Sequence, residues 1–341
     1  MKNQNWFPCL FSNGICLFRI NIFQYLLLTL VLLSATSDGS SRTCRFPKNN
    51  HNVFWTGGIV SGFIDFVNDD ESRLKLERIN AELIGEFVQV GKKINDSLPR
   101  NISRVKFHTE RVLVHPIGTQ GNFRVPYGTN SWPFRFQLGT NLPPSLNNND
   151  PYMSSIHYFI HITFVRREWY NLNFESKCPI VVKHLSPSVN AQKVEAKDKN
   201  RKGIRMHAVL PENFVTAGNY FSFEVDFYND KRSTLKIITA TLIQNQQLNS
   251  EENNLFVLQK QVLQNTQDFK GKRFNGIFRM DVPHTAPAAF TYQLTSNYAK
   301  KHLAVNYYVL IEAHLPGFFT NINLILPITI TNAMPKTNLR I

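Results

Sequence analysis

A stretch that occurs twice constrains the fold of this chain more than any other feature. Residues 60–84 read VSGFIDFVNDDESRLKLERINAELI, and residues 221–243 read FSFEVDFYNDKRSTLKIITATLI. Both copies contain, in the same order, Phe-x-Asn-Asp, Leu-Lys and Ala-x-Leu-Ile. A repeat of this length indicates two domains built on one plan.

Each copy alternates between apolar and polar residues, as a half-buried strand does. Residues 221–227 place Phe, Phe, Val and Phe on one side and Ser, Glu and Asp on the other. Asn-Asp then interrupts the pattern, as turn residues do. In the return strand of the first copy, Ile79, Ala81 and Leu83 share the inward side. We therefore predict that each copy forms a hairpin.

The far end of each module recurs as well. Residues 156–160 (IHYFI) correspond to 305–309 (VNYYV), and residues 178–182 (CPIVV) correspond to 326–330 (LPITI). Short strands separated by Gly, Pro and Asn predict a β-sandwich in each domain. The predicted organisation is a hydrophobic leader at 1–42, a first sandwich at 53–184, a basic linker at 185–203 and a second sandwich at 204–335.

The composition agrees with an all-β protein of this size. The chain has 341 residues, of which 43% are hydrophobic and 18% charged, so it is globular rather than disordered. Its length allows two domains of about 150 residues each. Because Phe and Tyr are abundant, with 27 and 11 copies, strands are favoured over helices.

The leader has the pattern of a secretion signal. Residues 25–33 are apolar and are followed by Ser34, Ala35 and Thr36, with Lys2 and Arg19 upstream. The apolar run is shorter than the roughly 20 residues that a membrane span needs. The alternatives to a signal peptide are an amphiphilic membrane tether and an N-terminus of no structural consequence.

Two features bear on the compartment. Beyond the leader the chain contains only Cys44 and Cys178, which could form one disulfide in an oxidising compartment. A buried free thiol is the expected default for Cys178. Asn95-Asp96-Ser97 and Asn101-Ile102-Ser103 match the glycosylation acceptor pattern, which matters only if the chain is secreted.

The charge predicts an anionic partner. A net charge of +14 attracts anionic lipid or phosphorylated tails. Nucleic acid is not expected, because zinc-finger spacing, RNP-type aromatics and basic helices are not seen. A basic surface that is merely solvated is the alternative. The predicted anion- and partner-binding residues are the strand-end pair Arg166 and Arg167, ranked first for rigidity, and the basic loop Lys270, Lys272 and Arg273.

The sequence does not predict an enzyme. It contains neither a phosphate loop ending in Gly-Lys-Ser/Thr nor a His-Glu-x-x-His motif. His157 and His161 would lie about 13 Å apart on a strand, which is too far for one metal ion to bind both. No catalytic residue, metal or cofactor is therefore expected.

Several short pieces of the sequence occur in the order and spacing of a known family. They are residues 58–64, 132–138, 142–145 and 156–161 in the first domain, and Pro211, Val215, 217–218, Asn229, 307–308 and 326–330 in the second. In these pieces the chain resembles arrestin-domain proteins, most closely the alpha-arrestin type. The resemblance extends from about residue 53 to 335 and depends on the order and spacing of many short pieces. The arrestin-like subunit of retromer shares the fold and is the alternative relative.

The resemblance implies two tandem immunoglobulin-like β-sandwiches of the arrestin fold. It also implies a non-enzymatic, cytoplasmic adaptor at endosomes or the plasma membrane. Such adaptors bind cytosolic parts of receptors or transporters for endocytosis, protein transport or signal transduction. If residues 25–36 act as a signal, the alternative is a secreted or lumenal two-sandwich binding protein.

Two features of the family are not found in this sequence. Alpha-arrestins carry Pro-Pro-x-Tyr motifs that recruit ubiquitin ligases, whereas Pro143-Pro144 is followed here by Ser145-Leu146. The basic phosphate-sensing strand of visual-type arrestins is also not recognisable. Ligase recruitment and phosphate sensing by those residues are therefore not expected.

Overall fold

The computed structural model describes residues 41–48, 52–69, 74–91, 101–115, 123–147, 153–166, 172–184, 190–249, 252–295, 300–317 and 321–332. Within these ranges the regular elements are all strands, and none of the described residues forms a helix suited to crossing a membrane. Residues 1–40 of the predicted leader and Asn95 lie outside the described residues, and Arg42, the last residue of the predicted leader, begins the first strand.

The first domain is a sandwich of two sheets. Its strands are β1 (Arg42–Arg45), β2 (Val53–Trp55), β3 (Ile59–Asn68), β4 (Lys75–Val90), β5 (Ile102–His115), β6 (Phe123–Arg124), β7 (Gly128–Gln137), β8 (Ser155–Arg166) and β9 (Phe174–Lys183). One sheet has the order β1-β3-β7. The other has the order β2-β9-β8-β4-β5, with β6 paired to β4.

The second domain repeats this plan. Its strands are β10 (Val194–Lys199), β11 (Arg205–Leu210), β12 (Phe214–Thr216), β13 (Tyr220–Tyr228), β14 (Ile237–Asn249), β15 (Glu252–Val262), β16 (Arg273–Asp281), β17 (Phe290–Thr295), β18 (Lys300–His314) and β19 (Ile322–Thr331). The sheets have the orders β10-β11-β13-β16 and β12-β19-β18-β14-β15, with β17 paired to β18. The prediction of two tandem all-β sandwiches is confirmed.

The repeat extends to individual hydrogen bonds. Tyr158 on β8 and Tyr307 on β18 are equivalent residues, and both are buried. The Tyr158 hydroxyl donates to the Pro143 carbonyl oxygen at 2.6 Å, and the Tyr307 hydroxyl donates to that of Pro287 at 2.6 Å. Burial raises the pKa of both phenols well above the ordinary value, so both hydroxyls keep their protons.

The hairpin predicted for each copy of the repeat is wrong. β3 and β4 lie in different sheets, and so do β13 and β14. The predicted faces are nevertheless those observed, because Ile64 and Leu83 are both fully buried. Alternation specifies which side of a strand is buried but not its hydrogen-bonding partner. Here the two inward faces pack against each other across the core, and Phe66 meets Phe164 of the opposite sheet at 5.0 Å between ring centroids.

The stretch 185–203, predicted to be a linker, contains strand β10. This strand pairs along its length with β11 and forms one edge of the second domain. Val194 and Ala196 pack on the core, while Glu195 and Lys197 are exposed. The high charge of the stretch obscured this alternation. Similarly, β1 precedes residue 53, the predicted start of the first domain, and pairs with β3.

A β-bulge lies at a contact between the two domains. The pairing of β4 with β5 steps from Gly85–His108 to Glu86–Lys106, so Phe107 is the extra residue. The Phe107 ring lies 5.6 Å from Tyr158 and 5.7 Å from Tyr292 of the second domain, measured between centroids. A Cβ on Gly85 would come within 2.7 Å of the Phe107 ring, so this close approach requires glycine.

Cys44 and Cys178 form a disulfide with a Cα–Cα distance of 6.0 Å. The default expectation of a free thiol at Cys178 is therefore wrong, and the alternative that the sequence left open is correct. Cys44 lies on β1 and Cys178 on β9, so the bond links the two sheets of the first domain. β1 and β9 lie close together across the sandwich. A separation of 134 residues in the sequence does not predict this proximity.

Candidate anion-binding site

The register of the four-stranded sheet in the second domain aligns basic side chains in one row. Lys199 is paired with Arg205, Arg205 with Tyr228, and Tyr228 with Arg273. Directly opposed residues project from the same face of a sheet. The neighbouring residues Met206 and Phe227 are buried in the core, so the row lies on the outer face.

The connections at this end of the sheet add further charge. The β10–β11 turn, the segment after β13 and the segment before β16 all lie beside the row, and Asn229 N donates to Lys272 O at 2.7 Å. Three aspartates, Asp198, Asp226 and Asp230, offset part of the charge. We call this surface the basic end; its cations are Lys197, Lys199, Arg201, Lys202, Arg205, Lys231, Arg232, Lys270, Lys272 and Arg273.

Two arginines of the basic end are held in place by Tyr228. The guanidinium carbons of Arg205 and Arg273 lie 5.4 Å and 4.9 Å from the centroid of its ring. Arg205 also pairs with Asp230 at 3.5 Å, and Arg273 pairs with Asp226 at 3.4 Å. Exposed pairs of this kind stabilise a fold little. Their effect is to orient two guanidiniums that remain 58% and 61% exposed.

A cleft of about 620 Å³ runs along this row. Its size falls within the range of small-ligand sites, roughly 300–1,000 Å³. At its far side His207 Nε2 lies 3.3 Å from Glu195. The Lys193 ammonium, followed by His207, holds the pKa of Glu195 below its ordinary value, so that carboxylate stays charged. The lining residues are Lys197, Asp198, Lys199, Arg205, Met206, His207 and Tyr228.

These groups suit the recognition of an oxyanion. A guanidinium presents a planar fork of N–H donors that matches carboxylate or phosphate oxygens, whereas a lysine ammonium acts as a point charge. The basic end supplies both kinds of cation side by side. It can therefore bind a phosphate group or a run of carboxylates.

The predicted site residues fall into two groups. Lys270, Lys272 and Arg273 belong to the basic end. Arg166 lies at the end of β8 in the first domain, with its guanidinium carbon 3.7 Å from the centroid of the Phe174 ring. Arg167 lies outside the described residues. Of the predicted residues that are described, Arg166 therefore lies in the first domain and the basic loop lies in the second.

Sequence reasoning missed the contribution of Lys199 and Arg205 to this site. Lys199 falls in the stretch predicted to be a linker, and Arg205 belongs to no sequence motif, so their alignment with Arg273 is not expected from the sequence. The alternation of Val194 and Ala196 with charged residues was the available signal for β10. Only the cross-strand register shows that two distant basic segments meet.

The two histidines of β8 lie within hydrogen-bonding distance of other polar side chains. His157 Nε2 lies 2.7 Å from Ser155 Oγ, and His161 Nε2 lies 3.2 Å from Glu175 Oε2. Ser155 is only 7% exposed, so its hydroxyl is not presented as a nucleophile. Within the described ranges, no group of three or more His, Cys, Asp or Glu is placed to hold a metal ion.

Comparison with known proteins gives two matches that together cover most of the chain. Residues 43–187 match the family model described as Arrestin (or S-antigen), N-terminal domain. Residues 200–334 match the family model described as Arrestin (or S-antigen), C-terminal domain. No curated protein matches the chain.

Proposed function

This chain belongs to the arrestin family, and on that premise we propose that it is an adaptor that binds an anionic segment of a membrane protein. Members of this family are generally non-enzymatic adaptors in trafficking or signalling, bind receptors and are typically cytosolic. The finer roles, in endocytosis or sorting of receptors and transporters at endosomes or the plasma membrane, are part of the proposal. So is membership of the alpha-arrestin type.

The observation that carries the proposal is the row of Lys199, Arg205 and Arg273 beside Tyr228. An unstructured tail bearing phosphates or carboxylates can lie along the row, with its acidic groups facing the two oriented guanidiniums. An anionic lipid surface is the competing partner, at about 1 kcal/mol per basic residue near the membrane.

Recruitment of a ubiquitin ligase through a proline motif is not part of the proposal. Pro143 and Pro144 are buried, and the Pro143 carbonyl accepts the hydrogen bond from Tyr158. A buried pair cannot dock in the aromatic groove of a WW domain, which binds exposed polyproline segments.

A binding experiment with matched variants tests the proposal. Affinity for a multiply phosphorylated peptide is measured by fluorescence anisotropy for the wild-type chain and for Arg205→Ala/Arg273→Ala. Removing two exposed charge contacts of up to about 1 kcal/mol each is expected to weaken binding by up to roughly 30-fold. Added salt should weaken wild-type binding as well.

The control is Arg104→Ala/Arg111→Ala, which removes two exposed arginines of the first domain that pair with Glu86 and Glu82. Equal losses in both double variants would contradict a specific site. Binding only to vesicles of phosphatidylcholine and phosphatidylserine, without binding to the phosphopeptide, would identify lipid as the partner instead.

A second candidate function is that of a secreted or lumenal two-sandwich binding protein. The Cys44–Cys178 bond favours it, because cytosolic proteins rarely keep structural disulfides. Localising a C-terminally tagged chain and sequencing its N-terminus separates the two candidates.

A further inference from the structure

The disulfide uses all the cysteines of the two-domain unit. The chain contains four cysteines, and Cys9 and Cys16 lie in the leader, outside the described residues. The remaining two come from positions 134 residues apart and are bonded to each other. With no third thiol in this unit, the pair has no competing partner within it. This is the usual arrangement of a structural disulfide in an oxidising compartment.

The strands hold the two cysteines together by other contacts as well. β1 pairs with β3 through Cys44 and Ile64. It is also tied to β9, because Ser176 Oγ donates to the Arg42 carbonyl oxygen at 3.2 Å. The Arg42 guanidinium carbon lies 4.4 Å from the centroid of the Phe174 ring. Folding therefore brings both thiols to one place, and the bond can close when an oxidant is available.

An acceptor triplet lies exposed on the same domain. Asn101 precedes β5, and Asn101, Ile102 and Ser103 are all exposed, with Ile102 at 55%. The Asn101 backbone is ordered, because its carbonyl oxygen accepts from Gly91 N at 2.8 Å. A sugar on the Asn101 side chain would thus extend into solvent without displacing the core.

We propose that Asn101 is an N-glycosylation site and that the chain matures in an oxidising secretory compartment, where the Cys44–Cys178 bond closes. This inference rests on the second candidate function and, where it holds, replaces the cytosolic role of the first. It does not depend on anion binding by the basic end. The leader pattern at residues 25–36 agrees with it. The chain would thereby differ from the typically cytosolic members of its family.

Each modification needs a second reactant that the secretory compartment supplies. Disulfide closure removes two electrons and two protons from the two thiols, and thiol–disulfide exchange passes them to the disulfide of a secretory oxidoreductase, which becomes a dithiol. At the acceptor, Asn101 Nδ2 loses a proton and bonds to the anomeric carbon of a sugar. The bond that breaks joins that carbon to a lipid-linked diphosphate, which leaves with the electron pair.

The test uses the full-length chain, tagged at its C-terminus and expressed in cultured eukaryotic cells. All variants carry Asn95→Gln, which removes the other acceptor. Glycosidase treatment converts a glycosylated asparagine to aspartate, and mass spectrometry is expected to find aspartate at position 101. Cys44 and Cys178 are expected to resist an alkylating reagent until the protein is reduced.

Two variants of Ser103 give a matched comparison. Ser103→Ala destroys the acceptor pattern and should abolish the conversion at position 101, whereas Ser103→Thr preserves the pattern and the conversion. Both substitutions are at an exposed position and should leave folding unaffected. Unmodified Asn101 in the wild-type acceptor, or cysteines alkylated before reduction, would overturn the proposal. The phosphopeptide assay on the same protein shows separately whether the basic end functions.

Discussion

At the residue scale, Tyr158 and Tyr307 show how the duplicated plan is stabilised. Each hydroxyl donates to a proline carbonyl at 2.6 Å inside its own domain. Removing a hydroxyl leaves that buried carbonyl without this donor, which costs about 1 kcal/mol. Tyr158→Phe and Tyr307→Phe should therefore each lower the free energy of unfolding by about that amount, measured by urea denaturation.

Tyr127→Phe is the control for these variants, because Tyr127 is 65% exposed. Its effect should stay within about 0.5 kcal/mol. A loss at only one of the two buried tyrosines would indicate that the two hydrogen bonds are not energetically equivalent.

Three half-buried histidines make stability depend on pH. Burial lowers the pKa of His108, His157 and His184 below the ordinary value of 6.5. The unfolded chain then binds protons more readily than the folded one as the pH falls below 6.5. Stability from these residues is thus complete above pH 6.5 and is lost as the pH falls towards their folded pKa values.

The urea concentration at the unfolding midpoint should accordingly be lower at pH 5 than at pH 7.5. Replacing all three histidines by glutamine should flatten this dependence. The Arg45 guanidinium lowers the pKa of Asp65 below its ordinary value of 3.8. The stability that Asp65 contributes is therefore lost only at a pH below this interval. An unchanged slope in the triple variant would refute the assignment.

The sequence identified individual cations of the site but not their arrangement. Lys270, Lys272 and Arg273 stand out because they are close together in the chain. Lys199 and Arg205 join them only through the register of β10, β11, β13 and β16. Register depends on contacts between distant residues, which local composition does not encode.

At the scale of elements, the bulge at Phe107 links strand pairing to the contact between domains. Gly85→Ala would place a Cβ 2.7 Å from the Phe107 ring and 2.9 Å from Tyr158. Such overpacking is expected to cost about 1–3 kcal/mol. Gly139→Ala is the matched control, since its nearest neighbour would lie at an ordinary 3.4 Å.

A double-mutant cycle shows whether the Phe107 ring is responsible for the loss of stability in Gly85→Ala. If the clash with Phe107 dominates, Gly85→Ala should cost clearly less in a Phe107→Ala background than in the wild type. Additive losses would mean that the Phe107 ring is not responsible.

The pattern within each strand predicted which face is buried, but it did not predict which strand is the hydrogen-bonding partner. Ile79, Ala81 and Leu83 are buried as their alternation indicated. Alternation is local, and it holds whether the strand pairs with its neighbour in sequence or crosses to the opposite sheet. The choice between these depends on contacts between residues far apart in the sequence, such as the packing of Phe66 on Phe164.

At the scale of the whole molecule, the disulfide closes a loop of 134 residues around the first domain. Losing a native disulfide typically costs about 2–5 kcal/mol, because the unfolded chain gains freedom. Cys44→Ser/Cys178→Ser should lower the free energy of unfolding by that amount in urea. Wild type treated with dithiothreitol should lose a similar amount, and an unchanged midpoint in both would show that the bond contributes nothing.

The link between β1 and β9 also determines how the protein responds to proteolysis. A single cut of the backbone anywhere between residues 44 and 178 leaves both fragments covalently joined through the cysteines. The nicked molecule would keep its apparent size on a gel until reductant is added. Cleavage within the first domain could therefore open a surface there without releasing the second domain from the remainder.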